Sequence, residues 1–577
     1  MEIIVKYVDG IRYAEELFPG IRVVELFNQY AIVTIEEEQL EEFSALPEVV
    51  YVELPKRVYY NLQAGRRASC LSGVQGNPNI SGIQGGRGRN LTGSGVFVAI
   101  VDSGVDLRHP AFIGEDGESR IAFFWDQTKE LDAANVGEGR EDGGDADLMD
   151  EEGAEEASNV FGRVPERYQR GREYTREEID RVIGGQENLE NTERGSGHGT
   201  GVAGIAAGNG RGSQGLRYRG IATESQLLVV KLGRGNEDFA GTTDVMMGVD
   251  YVLRKALELG RPIAINLSFG TNQGAHDGNT LFEQYLSDLN GVWKNVIVVA
   301  TGNEGDTRHH ARVHLQREEE RMEFAVGSGE RNLLLQIWKQ YVDEFRVALR
   351  TPSGERFFFP SVPGQSITYP YGGNRLYFFL GAPTPFQDTQ ELSVEWMTRS
   401  SGFVESGIWT VEFYPDQIGD GRVDLWLPTV EAIGLSTGFL QPEVNTTLTI
   451  PATARKVITV GAYRSDNDTV ANFSGRGNTV DGRQVPIIVA PGVGVVTARP
   501  GGSYGAQTGT SFAAPFVTGS AALMMEWGIV QGNDPYLYGE KMQAYLARGA
   551  RRLVGQLQVP DVQAGYGALC VSASLPE

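Results

Sequence analysis

The stretch GVFVAIVDSG, residues 95–104, is an unbroken apolar run that ends in an aspartate followed by small residues. Similar runs recur at 225–233 (SQLLVVKLG), 262–270 (PIAINLSFG) and 295–305 (NVIVVATGNEG). Strands that are apolar on both faces are typical of parallel sheets covered on both sides. The helix-like segment TDVMMGVDYVLRKALELG, residues 243–260, lies between two of these runs. The sequence therefore predicts an α/β fold built on a parallel sheet with helices on both faces.

A candidate catalytic site follows from polar residues next to apolar segments. In α/β proteins, sites lie at the carboxyl ends of the parallel strands. Asp102 ends the first run, His198 lies within GSGHGTGVAGIAAG (195–208), and Ser511 lies within GTSFAAPFVTG (509–519). A serine hydroxyl becomes a nucleophile when a histidine takes its proton and a carboxylate orients that histidine. These three residues therefore indicate nucleophilic acyl transfer.

The glycines around His198 permit a second interpretation, because Gly199, Gly201 and Gly204 spell G-x-G-x-x-G. That spacing is typical of a dinucleotide-binding loop, in which a buried strand leads directly into the glycine turn. Here the preceding segment QENLENTERGSGH is polar throughout, and the acidic Glu224 precedes the next strand instead of ending it. We therefore favour a tight helix start that positions His198.

The order of these segments carries a family resemblance. VAIVDSGVDLRHP, GHGTGVAGIAAG and GTSFAAPFVTG resemble the three active-site blocks of the subtilisin-like serine proteases, in the order Asp, His, Ser. The resemblance implies that Asp102, His198 and Ser511 form the catalytic triad. A fourth segment, VVATGNEG, is similar to the family's oxyanion block and implies that Asn303 donates its amide to the oxyanion.

One further segment and one departure from the pattern bear on the resemblance. NLSFG resembles the family's substrate-binding edge strand, which implies that Ser268, Phe269 and Gly270 offer backbone groups to an extended peptide. One position departs from the pattern: the family commonly carries a bulkier residue, often histidine, where this sequence has Gly201. Since Gly201 is not a catalytic position, the departure concerns local packing.

Composition shifts divide the chain into units. Short β-like runs and one helical run form an α+β unit before a linker rich in glycine and basic residues, which predicts a domain at 1–66. The α/β pattern occupies 67–314 and 449–577. Between them, seven runs with period-2 alternation predict an inserted antiparallel β-sandwich at 315–448. Residues 127–194 are crowded with Glu, Asp, Gly and Arg and predict a solvated, mobile insertion.

The resemblance assigns roles to these units. The N-terminal unit looks like the family's prodomain, an intramolecular chaperone and inhibitor whose tail occupies the substrate cleft. We expect self-cleavage between about Tyr60 and Ser69. The inserted domain, the short prodomain and the terminal segments NDPYLYGEKMQAYLARGARRL (533–553) and GYGALCVSASLP (565–576) together resemble the Csp-type proteases of clostridia. This resemblance implies that the insert is a jelly roll and that the prodomain can stay bound. It also implies a target such as the precursor of a spore-cortex hydrolase.

Composition limits the partners and the location. The formal net charge of −24 disfavours nucleic acid and acidic membranes, because both attract basic proteins. No basic segment followed by an apolar one opens the chain, and no run approaches the roughly 18 apolar residues of a membrane span. We expect a cytoplasmic or spore-associated monomer that acts on proteins or peptides. Its two cysteines, Cys70 and Cys570, are expected to be buried free thiols.

No cofactor is required by this chemistry. His309, His310 and His314 lie close together in RHHARVH, but no carboxylate or cysteine joins them at ligand spacing, so we expect an exposed loop and not a metal site. The resemblance allows a structural calcium ion, although the acidic run lacks the spacing of an EF-hand. The alternative function is a scaffold that keeps the fold and hydrolyses little. Loss of a triad residue would favour it, and none is lost here.

Overall fold

The computed structural model describes residues 1–8, 10–60, 69–70, 90–129, 161–234, 240–331, 333–398 and 402–576. The described chain consists of an N-terminal unit, a central α/β core and two antiparallel sheets inserted into that core.

The N-terminal unit is a four-stranded antiparallel sheet in the order β2-β3-β1-β4. Because side chains alternate along a strand, its two faces differ. Ile3 and Val5 lie in the unit's own core with Phe43, whereas Ile4 and Tyr30 pack into a core shared with the α/β region. The elements are β1 (Glu2–Tyr7), α1 (Ala14–Leu17), β2 (Arg22–Glu25), β3 (Tyr30–Thr34), α2 (Leu40–Ser44), β4 (Val49–Glu53) and β5 (Arg57–Tyr60).

The central sheet confirms the predicted parallel arrangement. It has nine strands in the order β26-β25-β13-β11-β6-β9-β7-β8, with β27 beside β25. All neighbours are parallel except the edge strands β8 and β26. The strands of this region are β6 (Phe97–Asp102), β7 (Ile121–Asp126), β8 (Arg172–Thr175), β9 (Gln226–Lys231), β10 (Ala240–Gly241), β11 (Ile263–Leu267), β12 (Phe269–Gly270), β13 (Asn295–Ala300), β25 (Ile458–Arg464), β26 (Thr469–Val470), β27 (Ile488–Pro491), β28 (Val495–Arg499) and β29 (Ser503–Gln507).

Helices cover both faces of this sheet. Along β6, Val98 and Ile100 enter one core, and Phe97 and Val101 enter the other. The first core contains the helices that begin at His198 and Thr510, and the second contains those that begin at Thr242 and Leu281. The helices are α3 (Arg176–Ile183), α4 (His198–Ala207), α5 (Thr242–Glu258), α6 (Leu281–Asp288), α7 (Thr510–Met525), α8 (Gly539–Gly549) and α9 (Val571–Ser574).

One stretch, Thr510–Val530, has the length and composition of a membrane span within the described part of the chain. Its α-helical part is α7, and a π-helical turn at Glu526–Val530 extends it. Within the protein, 83% of its most apolar window is buried. A helix buried in the core of an α/β protein has the same apolar composition, because the protein interior that surrounds it is as apolar as lipid.

The acidic insertion is only partly as predicted. Residues 130–160 lie outside the described residues, but 161–194 are folded, and β8 pairs with β7 at the edge of the central sheet. Thr175 and Glu178 form a capping box at the start of α3, in which each side chain accepts a hydrogen bond from the other residue's backbone. The expectation of a solvated, mobile segment is therefore wrong for 161–194, because local capping and edge pairing offset its polarity.

The inserted region forms two antiparallel sheets, in the orders β14-β23-β16-β21-β20-β19 and β18-β17-β22-β15-β24. Both sheets contribute to one apolar core, through side chains such as Leu335 and Trp409. Strands cover all seven predicted runs, whereas β14, β18, β19 and β24 are not predicted. The elements are β14 (His310–His314), β15 (Glu320–Val326), β16 (Leu334–Gln340), β17 (Glu344–Arg350), β18 (Arg356–Phe358), β19 (Ser366–Tyr371), β20 (Asn374–Leu380), β21 (Thr389–Met397), β22 (Gly407–Gln417), β23 (Arg422–Trp426) and β24 (Gly438–Phe439).

The two cysteines are joined in a disulfide. The Cα atoms of Cys70 and Cys570 are 4.7 Å apart, although the residues are 500 positions apart in the sequence. The expectation of free thiols is wrong, because the fold brings these distant segments within the range of disulfide geometry. The bond ties the segment after the N-terminal unit to the start of α9.

Candidate active site

Asp102 and His198 meet at the carboxyl edge of the central sheet. Asp102 is the last residue of β6 and is fully buried. His198 is the first residue of α4, and its Nδ1 lies 2.7 Å from Oδ1 of Asp102. Gly197, which precedes the helix, has a φ of 67° and lets the chain turn sharply into it. A strand end and a helix start thus hold the imidazole against the carboxylate.

The glycines after His198 allow close packing and not phosphate binding. A Cβ atom on Gly199 would lie 2.0 Å from the carbonyl oxygen of Gly104, on the turn after β6. A Cβ atom on Gly201 would lie 2.9 Å from the ring of Phe512. That ring also contacts the His198 ring, with centroids 5.2 Å apart. The space that a bulkier residue would need at position 201 is therefore occupied by Phe512.

Ser511 lies in the first turn of α7, all of whose residues are buried. Its Oγ donates a hydrogen bond to the carbonyl oxygen of Ser268 at 2.8 Å, and the Ser268 hydroxyl donates to the Ser511 carbonyl oxygen at 2.7 Å. Backbone N–H groups in the first turn have no intrahelical partner and mark the positive end of the helix. The Ser511 N–H is thus suited to receive an anionic oxygen.

The side chain of Asn303 is fixed by the same turn. Its Oδ1 accepts hydrogen bonds from the backbone N–H of Thr510 at 3.0 Å and from the Thr510 hydroxyl at 3.1 Å. Both partners are donors, so they identify the amide oxygen and direct the NH₂ group away from Thr510. Asn303 and Ser511 line the same cavity. The amide is therefore oriented before any ligand arrives.

The N-terminal unit reaches this site through β5. The backbone of β5 pairs antiparallel with β12, the strand inside the predicted substrate-binding segment, and with β10 on the other side. Its residues lie opposite Phe269, Gly270, Ala240 and Gly241. An extended segment between two edge strands is the geometry of a bound peptide. The interval predicted for self-cleavage begins at Tyr60, the end of β5, and its residues 61–68 lie outside the described residues.

Two helices of the core anchor the N-terminal unit. The Phe27 N–H donates to Asp250 on α5 at 3.0 Å, and the carboxylate of Glu53 accepts from the Leu281 N–H at 2.8 Å. Leu281 begins α6, so Glu53 lies at the positive end of that helix. The Arg254 guanidinium lies 3.9 Å from the centre of the Phe27 ring. Helix-end charge and a cation–π contact thus hold the unit over the core.

A second carboxyl group, that of Glu193, lies close to Asp102 and His198. Glu193 accepts hydrogen bonds from the Thr200 N–H at 3.0 Å, from the Thr200 hydroxyl and from the Ser103 hydroxyl. The pKa of Glu193 is raised to about 8, mainly by burial and also by the negative charge of Asp102, although the hydrogen bonds from Thr200 and Ser103 lower it. Near neutral pH the site therefore holds Glu193 mainly as a neutral acid.

Two of the three histidines in RHHARVH are buried. His309 and His310 are buried, and His310 begins β14, so the expectation of an exposed loop is wrong for these two residues. Nδ1 of His309 lies 2.6 Å from Glu304, and Nε2 of His310 lies 2.9 Å from Asp424. Each of the two rings has its own carboxylate partner. No cluster suited to a metal ion occurs among the residues that the structure describes.

Of the seven site residues predicted from the sequence, Phe269, Gly270, Asn303 and Ser511 line one cavity. Ser268 is hydrogen-bonded to Ser511, and His198 contacts Asp102. Three residues that line the cavity beside Ser511 lie outside every predicted active-site segment: Thr429, Glu431 and Thr449. They belong to no motif: Thr429 and Glu431 lie between β23 and β24, and Thr449 follows β24, so no spacing in the sequence connects them with Ser511. Only the fold brings them to Ser511.

Comparison with known families gives two matches. The sequence profile of the subtilase family matches residues 93–332 and 430–567, which contain all seven predicted site residues. The profile of the Csp protease B prodomain matches residues 1–56. The gap in the first match falls on the inserted sheets.

Individual proteins are also similar to this chain, over stretches of different length. The chain is 33% identical to the serine protease AprX of Bacillus subtilis over 150 residues, which cover 22% of this chain and 32% of AprX. It is 42% identical to subtilisin E of Bacillus subtilis over 81 residues, covering 14% of this chain and 19% of subtilisin E. The solved structure of the Clostridium perfringens CspB protease is similar with a TM-score of 0.72 and 29% identity. That match covers 88% of this chain and 96% of the CspB chain.

Proposed function

Because the chain belongs to the subtilase family, we propose that it is a serine endopeptidase that cleaves its own N-terminal unit from the catalytic core. The observation that carries the proposal is the buried hydrogen bond of 2.7 Å between His198 and Asp102, at the sheet edge where Ser511 begins a buried helix. The likeness to the CspB protease supports the same assignment.

Each residue has a chemical role in this proposal. The Nδ1–H group of His198 donates a hydrogen bond to the Asp102 carboxylate, so the lone pair is on Nε2. Rotation about the Cα–Cβ bond of Ser511 turns its hydroxyl from the Ser268 carbonyl to Nε2. As Nε2 takes the proton, Oγ attacks the carbonyl carbon of the scissile bond. His198 then gives that proton to the leaving amine, and a water molecule hydrolyses the acyl-enzyme by the same route.

The oxyanion of the tetrahedral intermediate needs donors fixed in advance. The NH₂ group of Asn303 and the backbone N–H of Ser511 supply them. The two hydrogen bonds from Thr510 support this role, because they orient the Asn303 amide in the absence of substrate. No cofactor takes part, and a structural calcium ion remains compatible with the family.

The N-terminal unit acts as an inhibitor and folding aid in this proposal. The pairing of β5 with both edges of the cleft supports an inhibitory role, because a protein substrate needs the same edges. The core shared between Ile4, Tyr30 and the helices α5 and α6 supports retention of the unit after cleavage.

We also propose a jelly-roll topology for the inserted sheets. The segments β14-β23-β16-β21 and β15-β22-β17-β18 of the two sheet orders support it, since a jelly roll places its strands in two such interleaved sets of four. The hairpin of β19 and β20 extends the first set.

The biological role follows from the Csp-type likeness. We propose that the enzyme is a cytoplasmic or spore-associated monomer and that its substrate is a precursor protein, such as that of a spore-cortex hydrolase. The prodomain match and the CspB likeness support this assignment.

Self-processing tests the proposed activity. We expect the full chain to be cut between about residues 60 and 69, and the Ser511→Ala variant to stay intact, when N-termini are mapped by mass spectrometry. Ser520→Ala is a matched control, because Ser520 lies on the same buried helix and bonds only to the Phe516 carbonyl among the described groups. It should be processed like the natural chain. Intact chains in all three samples would support the alternative function, a scaffold that keeps the fold and hydrolyses little. A cut Ser511→Ala variant would assign the cleavage to another protease.

A further inference from the structure

The cavity beside Ser511 contains two hydroxyl groups without partners. Thr429 and Thr449 both line it, and each is 2% exposed. Neither Oγ1 atom has a hydrogen-bond partner among the described residues. Buried polar groups are nearly always hydrogen-bonded, because an unpaired one is costly. Two unpaired hydroxyls in one cavity therefore indicate a ligand that supplies the missing bonds.

The position of Thr449 limits the length of the side chain that this cavity can hold. A Cβ atom on Gly270 would lie 2.1 Å from the Thr449 Oγ1 atom, and one on Gly302 would lie 2.5 Å from it. Gly302 has a φ of 85°, which other residues rarely adopt. The Thr449 side chain thus lies between two glycine backbones at the wall of the cavity. A long or aromatic side chain would collide with it.

The register of β5 indicates which substrate residue comes to this cavity. The strand runs antiparallel to β12, with Tyr60 opposite Phe269. A peptide bound in the same register has its next residue opposite Ser268. In this chain the next residue is Asn61, which lies outside the described residues.

The position opposite Ser268 is the position of reaction. Two hydrogen bonds, of 2.8 and 2.7 Å, join Ser268 to the nucleophile Ser511. The cavity is lined by the next strand residue, Phe269, and by Ser511 itself. The substrate residue opposite Ser268 therefore has its carbonyl group at Ser511 and its side chain at the cavity.

We propose that Thr429 and Thr449 select a short carboxamide side chain before the scissile bond, and that the self-processed bond is Asn61–Leu62. This inference rests on the proposed function. A carboxamide has an oxygen that accepts and an NH₂ group that donates, so it can satisfy two hydroxyls that each donate and accept. Attack of Ser511 on the Asn61 carbonyl releases the Leu62 amine, and water then frees the Asn61 carboxylate.

A basic residue is the main competing substrate. Glu431 also lines the cavity, and Arg66 and Arg67 lie within the interval predicted for cleavage. The register favours Asn61, because Arg66 is five residues beyond the position opposite Ser268. Cleavage after an arginine would make Glu431 the selecting residue.

The full chain tests the proposal through its own processing. We expect the new N-terminus at Leu62 and slower processing, by about tenfold, in the Asn61→Ala variant. Thr449→Val keeps the shape and removes the hydroxyl, so it should also slow processing about tenfold. In the chain that already carries Asn61→Ala, Thr449→Val should have little further effect, since the hydrogen bond between these two side chains is already lost.

Thr301→Val is the matched control. Thr301 is fully buried, also has an Oγ1 without a partner among the described groups, and precedes Gly302, but it does not line the cavity. Its removal should leave the rate unchanged in both backgrounds. An N-terminus after Arg66 or Arg67, or effects of Thr449→Val and Asn61→Ala that multiply, would overturn the selection proposal and leave the protease assignment intact. Failure of the natural chain to process at all would overturn the proposed function itself.

Discussion

The triad edge and the cavity beside it lie in contact but have different origins in the sequence. The triad edge, Asp102, His198 and Ser511, consists of residues at the ends of regular elements, and each is embedded in a recognisable segment. The cavity walls, Thr429 and Thr449, come from irregular chain on either side of β24, the last strand of the inserted sheets. The difference teaches that the residues proposed for the reaction lie in short motifs, whereas the residues proposed for selectivity depend on contacts between distant segments.

The largest effect should come from the triad edge. We expect Asp102→Asn to slow self-processing by about 10⁴-fold, because an amide neither fixes the reactive tautomer of His198 nor stabilises its cation. The rate is measured from the appearance of the cleaved chain by mass spectrometry. A pH profile of the processing rate separates these two causes. If only the orientation of His198 is lost, the remaining activity should increase at high pH.

Asp126→Asn is the control for that variant. Asp126 ends β7 and Asp102 ends β6, and both lie opposite Lys231 in the sheet register. Asp126 contacts the Lys231 ammonium at 3.2 Å. Its replacement changes the charge at the same level of the sheet and should lower stability more than catalysis. Equal losses of rate in the two variants would argue that overall charge, and not a triad, controls the reaction.

The oxyanion donor should have a smaller effect. We expect Asn303→Ala to lower kcat by about 10²–10³-fold with little change in KM, because the amide is used only in the transition state. Thr510→Val removes one of the two hydrogen bonds to the Asn303 Oδ1 atom and keeps the one from its backbone. It should therefore lose less activity. A change mainly in KM would assign Asn303 to substrate binding instead.

The same division explains how much the sequence could predict. Asp102 follows an apolar strand, and Ser511 begins a small-residue helix, so periodicity and topology bring them to one sheet edge. Thr449 has no such signal, because its contacts are with Gly270, in β12, and Gly302, which follows β13. The selection that we propose for Thr449 could therefore not be predicted from motifs.

Contacts between distant segments account for the wrong predictions as well. Composition made residues 161–194 look mobile, but β8 gains its stability from pairing with β7. His310 looked exposed because its partner Asp424 lies on another strand of the inserted sheets. Polar residues that are paired across the chain cannot be distinguished from solvated ones in the sequence alone.

The smallest effect concerns the buried acid behind the triad. The raised pKa of Glu193, about 8, means that the folded chain binds a proton that the unfolded chain releases near pH 4.5. Stability should therefore fall as pH increases between these values, by about 1–2 kcal/mol after allowance for partial solvent access. Glu193→Gln keeps an acceptor for Thr200 and should flatten this dependence. Urea unfolding of the unprocessed Ser511→Ala chain between pH 5 and 8 measures it.

Glu190→Gln is the matched control, because Glu190 is an exposed acid three residues away on the same segment. It should leave the pH dependence of stability unchanged. If Glu193→Gln also left it unchanged, Glu193 would be ionised in the folded chain, and its charge would act on the triad beside that of Asp102. The triad edge would then differ from the cavity in its electrostatics as well as in its origin, since the cavity hydroxyls do not titrate in this range.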